Sequence, residues 1–145
     1  MKYVSFKYQS YKSIGYLKDD DINVVDIYKI SNGKLPNNMS EFIKHFTKNE
    51  SYLKALIKKN HINKDCVFKL NNIVLLAPLI NPSSFRDAYA FRKHVEAGRK
   101  SRGLDMIPEY DKIPVFYFSN HNSILGEGEV SVQNKHLDKL DFEFE

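Results

Sequence analysis

Apolar and polar positions alternate with period two through the opening of the chain, in YVSFKY, SIGYLK and INVVDI. Such alternation marks half-buried strands, and the polar turn after Tyr8 and the run Asp19, Asp20, Asp21 divide them into a small sheet. Ile27, Tyr28 and Ile30 then lead into the loop SNGKLPNN. Beyond it the period changes: Met39, Phe42, Ile43 and Phe46 recur at helical spacing, with Ser40 as the expected N-cap. A second helix is predicted after Ser51. It buries Leu53, Leu56 and Ile57 beneath a lysine-rich face and ends near Asn60. VFKL and IVLLAPLI read as two strands around Asn71 and Asn72, broken at Pro78 and Pro82. A polar, aromatic-rich helix, a loop around Gly103 and Pro108, the strand PVFYFS and a turn at Gly126 and Gly128 follow. In the closing KLDFEFE, Asp141, Glu143 and Glu145 share one strand face, with Phe142 and Phe144 on the other. The pattern predicts an α+β fold, with a small strand-and-helix domain over 1–72 and a second, mainly-β unit over 73–145.

Composition narrows the class. The chain has 145 residues, of which 42% are hydrophobic and 13% aromatic, enough for a packed core and unlike a disordered chain. Net charge is +4, from 22 basic and 18 acidic residues, and the lysines are scattered from Lys2 to Lys139 without a block. That is a solvated surface and not a nucleic-acid stripe. MKYVSFKYQSYK lacks the apolar run of a signal peptide, and no stretch approaches a membrane span, so a soluble, cytoplasmic protein without membrane or nucleic-acid partners is expected. The one cysteine, Cys66, stands before an apparent strand and reads as buried and inert.

Candidate chemistry is densest in SSFRDAYAFRKHVEAGRKSRG, residues 83 to 103. If Asp87 caps a helix beginning near Ala88, His94 returns to nearly the same face two turns on, about 10 Å along the axis. Asp87, Tyr89 and His94 would then line one pocket, Asp87 near a metal and His94 near substrate or water. The plain alternative is a capping Asp and an exposed His. The basic residues of this stretch surround the helix axis too evenly to form a phosphate-binding face. His45 and His61 have no partner at ligand spacing and read as surface or edge residues. Glu143 and Glu145, at i and i+2 of a strand, stand about 7 Å apart at the backbone, close enough for both carboxylates to reach one hard cation. Oxygen ligands select Mg²⁺, Ca²⁺ or Mn²⁺ over zinc. An exposed strand face carrying two glutamates is the alternative.

The ordered set LLAPL, SFRDAYAFRKHV, RGLDMIPEYDKIPVFYFSN and LDFEFE resembles the fumarylacetoacetate hydrolase family, from about Ile73 to the last residue. The resemblance implies that 73–145 is the first part of a catalytic β-roll and 1–72 the smaller N-terminal domain. It implies Asp87, Glu143 and Glu145 as ligands of a divalent cation, His94 as general base, Tyr89 as a substrate contact and Arg102 as partner of a substrate carboxylate. The implied reaction is hydrolysis of a carbon-carbon bond in a fumarylacetoacetate- or acylpyruvate-like keto acid, of the kind met in aromatic amino-acid catabolism. Isomerases and decarboxylases share this site, so the resemblance gives a chemistry and not a substrate.

Departures accompany the matches. Ala88 replaces a larger aromatic common after the Asp, and Asn122 a frequent proline. Family members continue well past E-x-E, with a further ligating Asp, a lysine near the metal and the carboxylate that orients the His. The 145 residues are therefore expected to be an inactive N-terminal fragment of such a hydrolase. The other expectation is a non-catalytic module that binds a partner, either as a homodimer or with a chain supplying the remaining strands.

Overall fold

The computed structural model describes residues 1–59 and 62–140. The chain is α+β, and its main layer is a five-stranded antiparallel sheet. Strands β1 (Lys2–Tyr8), β2 (Tyr11–Leu17) and β3 (Asn23–Asp26) form a meander. Tight turns at Gln9 and at Asp21, both with positive φ, connect them. Strand β4 (Val67–Lys69) adds beside β3, and β5 (Val74–Leu76) beside β1, giving the order β4-β3-β2-β1-β5. The strand expected in IVLLAPLI is thus three residues long, and it hydrogen-bonds to the first strand of the chain.

That order forces the sheet to curl. Laid flat, five strands would hold β4 and β5 about 19 Å apart. The chain between Lys69 and Val74 reaches about 18 Å at most, and Leu70–Asn72 shortens it further by forming a 3₁₀ turn. Ring contacts show the closure: Phe68 of β4 lies 5.3 Å from Phe6 and 5.1 Å from Tyr8, both of β1, although two strands separate β1 from β4 in the sheet. Phe6 and Val24 are fully buried inside the curl. Gly15 is required there, since a Cβ would stand 2.5 Å from Val24 Cγ1 and 2.7 Å from the Val25 carbonyl oxygen.

The other face of the sheet carries the helices. A one-turn helix α1 (Ile27–Ile30), then α2 (Met39–Lys44) and α3 (Phe46–Lys59), cover Ile14, Tyr16 and Val25 with Ile27, Ile30, Leu35, Met39, Phe42 and Leu53. Burying a side chain such as Phe42 or Leu53 contributes about 2 to 3 kcal/mol each. Two expectations change here. Asn38, not Ser40, caps α2: its side-chain oxygen accepts from the Glu41 amide at 2.9 Å. The next helix starts at Phe46, not after Ser51; the chain breaks at His45, and Asn49 Nδ2 donates to the Phe42 carbonyl at 2.8 Å. Leu53 is fully buried as expected, with Leu56 and Ile57 half-buried beside it. His45 is exposed, and His61 lies outside the described residues.

Asp26 ends β3 and caps α1. It is fully buried and accepts from Ser13 Oγ at 3.1 Å, Tyr11 Oη at 2.8 Å and the Lys29 amide at 3.0 Å. Cys66 is buried nearby, as expected, and burial pushes its thiol above the ordinary value. Among the described residues no helix is long and apolar enough to cross a membrane.

Later in the chain, β6 (Arg86–Ala88) and β7 (Phe116–Phe118) pair as a second, two-stranded sheet, with helix α4 (Arg92–Lys100) between them in sequence.

Candidate functional site

The candidate residues begin on β6. Aromatic residues at Phe85, Tyr89 and Phe91 already alternate with Arg86, Ala88 and Ala90, a strand period that overrides the helix start expected at Ala88. Asp87 is the middle residue of β6 and caps no helix. Pairing with β7 sets Asp87 directly opposite Tyr117, and it continues past the strand ends through Tyr89 N–H to Val115 O at 3.1 Å and Ser119 N–H to Phe85 O at 3.2 Å. Period two then gives this small sheet two faces. One carries Arg86 with Phe116 and Phe118, its guanidinium 5.7 Å and 5.0 Å from the two ring centres. The opposite face carries Asp87 and Tyr117.

On that face Tyr117 Oη donates to Asp87 Oδ2 at 2.5 Å. Asp87 is half-buried, and among the described residues no cation pairs with it. A carboxylate with one neutral donor and no counter-charge keeps acceptor capacity for a hard cation, so its chemistry fits the oxygen-ligand set expected for Mg²⁺, Ca²⁺ or Mn²⁺. Among the described residues no group of three or more His, Cys, Asp or Glu is assembled. Glu143 and Glu145, the other expected ligands, lie outside the described residues.

The helical face proposed for Asp87, Tyr89 and His94 does not exist as such. Helix α4 starts at Arg92 behind Phe91, which makes no side-chain cap, so His94 belongs to its first turn while Asp87 and Tyr89 precede it in extended chain. His94 is exposed, and its ring has no hydrogen-bond partner among the described residues. Val95 is the buried anchor of α4. Tyr89 lines a shallow groove with Tyr110, Lys112, Ile113 and Pro114, closed at one point by Tyr110 Oη donating to the Tyr89 carbonyl at 2.6 Å. Arg102, exposed, donates from Nε to the Gly98 carbonyl at 2.9 Å, at the C-terminal turn of α4. The geometry therefore joins Asp87 to Tyr117 and Tyr89 to Tyr110, while His94 and Arg102 stand on α4 and just past it.

Arg92 holds the long connection to β7 in place. Its Nε and Nη2 donate to the two oxygens of Asp111 at 3.0 Å and 3.2 Å, and Nη1 reaches Glu96 at 3.4 Å. The paired guanidinium holds the Asp111 carboxyl below its ordinary value, and hydrogen bonding to Asp111 raises Arg92 in return. Arg99 Nε also donates to the Asp105 carbonyl.

Tyr117 and Tyr110 were not among the expected site residues. For Tyr117 the sequence did hold a signal: in PVFYFS it is out of phase with Phe116 and Phe118, hence on the face of whatever polar residue opposes it. No protein-family model and no curated protein matches the chain.

Proposed function

We propose that the chain carries the metal- and substrate-binding portion of a cytoplasmic hydrolase of the fumarylacetoacetate hydrolase family, cleaving a carbon-carbon bond in a dioxo or keto acid. The observation that supports this reading is the Asp87 carboxylate, fixed opposite Tyr117 by strand pairing and left without a counter-cation among the described residues. Asp87, with Glu143 and Glu145, would hold the divalent cation. What such a cation supplies when bound is Lewis-acid polarisation of a carbonyl oxygen. His94, exposed on the first turn of α4, takes a proton from water, a task suited to imidazole near neutral pH. Tyr89 contacts the substrate from its groove, and Arg102 pairs with the substrate carboxylate by a charge-assisted hydrogen bond.

The test is turnover of acylpyruvates with Mg²⁺, by the chain alone and combined with a polypeptide supplying the rest of a family catalytic domain. Activity is expected in the combined sample, and His94→Ala is expected to lower kcat about 10²- to 10⁴-fold. A combined sample without turnover, or a His94→Ala variant with wild-type rates, refutes the reading. Product analysis separates hydrolysis from isomerisation or decarboxylation at the same site.

A second reading, a non-catalytic module that binds a partner chain, draws support from the second sheet. Two strands alone are marginal in water, and Phe118 is 68% exposed and the nearby Phe91 80% exposed. A stable complex without turnover in the same mixing experiment favours it.

A further inference from the structure

Asp87 and Tyr117 are direct partners in the β6–β7 register, so the distance between their backbones is set by the sheet and not by a flexible loop. Directly opposed Cβ atoms stand about 5 Å apart, within reach of a tyrosine leaning across to a short carboxylate. Tyr117 is 51% exposed, and water could satisfy its hydroxyl, yet the hydroxyl points back onto Asp87 Oδ2 at 2.5 Å. An aspartate on a two-residue-wide strand face has free rotation about its last bond. A donor fixed on Oδ2 removes that freedom and presents Oδ1 in one direction. The hydrogen-bonded neighbours of ligating carboxylates do this in metal sites generally.

We propose that Tyr117 is a positioning residue for Asp87, orienting the carboxylate so that one oxygen meets a divalent cation. The inference rests on the reading of Asp87 as a metal ligand. In this role Tyr117 acts on the site through the Asp87 carboxylate to which it donates. Tyr117→Phe is the direct probe, because it removes one oxygen and keeps the ring and the strand propensity.

Binding of Mn²⁺ to the full 145-residue chain, followed by the loss of the free-ion resonance signal, gives the first readout. Asp87→Asn is expected to remove binding, and Tyr117→Phe to weaken it about tenfold. Titration with optically silent La³⁺ gives the second: neutralising the charge that the phenol donates to perturbs its ultraviolet absorption. The tyrosine difference band is expected in wild type and in Tyr89→Phe, and is expected to be lost in Tyr117→Phe and Asp87→Asn. A Tyr117→Phe variant with unchanged Mn²⁺ affinity, alongside an Asp87→Asn variant that no longer binds, overturns the role of Tyr117 and leaves the metal reading standing. Wild type without Mn²⁺ binding, or Asp87→Asn with unchanged binding, overturns both. The difference band is read on the folded wild-type chain, so its absence there overturns the proposal even if a variant fails to fold.

Discussion

Asp26 does more for the fold than its place at the end of a strand pattern suggests. A fully buried carboxylate is costly unless hydrogen bonds replace its water, and three donors supply them: Ser13, Tyr11 and the Lys29 amide in the first turn of α1. Asp26→Ala would remove a helix cap and leave two hydroxyls, the buried one of Ser13 and the half-buried one of Tyr11, without their acceptor. The expected cost is about 3 kcal/mol, combining the usual value of a cap with that of an unmet buried donor. Urea unfolding of the two proteins, with unchanged slope, checks it. The sequence INVVDI showed the strand and hid this role, because an aspartate after two valines continues the alternation as well as it ends it. The burial of Cys66 was legible: an isolated thiol ahead of an apolar run reads as buried, and it is.

At the scale of elements, the strands of the opening meander follow from alternation, whereas the segment from Ser83 to Gly103 divides into strand and helix at a point the pattern does not mark. Asp87 could start a helix by its own chemistry. Its partner Tyr117 stands thirty positions away in the chain, and only that pairing makes Asp87 a strand residue. Local propensity cannot report a contact of that range. The same holds for the contact that docks the loop after α4, Arg92 with Asp111. Because Asp111 titrates lower in the folded chain than in the unfolded one, the stabilisation is complete above the ordinary carboxylate value near 3.9 and is lost as pH falls through the depressed one. Nuclear magnetic resonance of the Arg92 Nε–H is expected to hold constant from neutral pH into that range and then to shift toward the solvent value.

For the whole molecule, the five-stranded sheet is buried on both sides, by helices outside and by Phe6, Val24 and Phe68 within its curl. Two tyrosines reach carboxylates at the sheet-helix boundary: Tyr3 of β1 donates to Glu50 of α3, and Tyr11 of β2 to Asp26, which ends β3 and caps α1. Burial, with the neighbouring carboxylates adding to it, pushes both phenols up to about 12. A raised folded value means the neutral phenol is favoured, so the stability these two groups contribute is present below about 10 and disappears as pH climbs toward 12. Absorbance titration is expected to show a late-ionising set that includes Tyr3, Tyr11 and Tyr16, whose phenol burial also raises, with loss of the near-ultraviolet circular dichroism as that set ionises. The α+β class and the three leading strands were readable from periodicity. The curl was not, because it follows from β4 and β5 lying at opposite ends of one sheet, and strand order leaves no trace in hydropathy.

That curl also bears on how the chain meets other chains. A sheet edge left open is a template for aggregation, and long straight edges are the dangerous ones. Here both outer strands have three residues, they turn toward each other, and Gly126 lies so close to β5 that a methyl group would collide with Leu75 and Leu76. The first sheet offers little to a passing strand. Sticking, where it occurs, belongs to β6 and β7, which are short but uncurled toward any partner edge and flanked by bare aromatic rings.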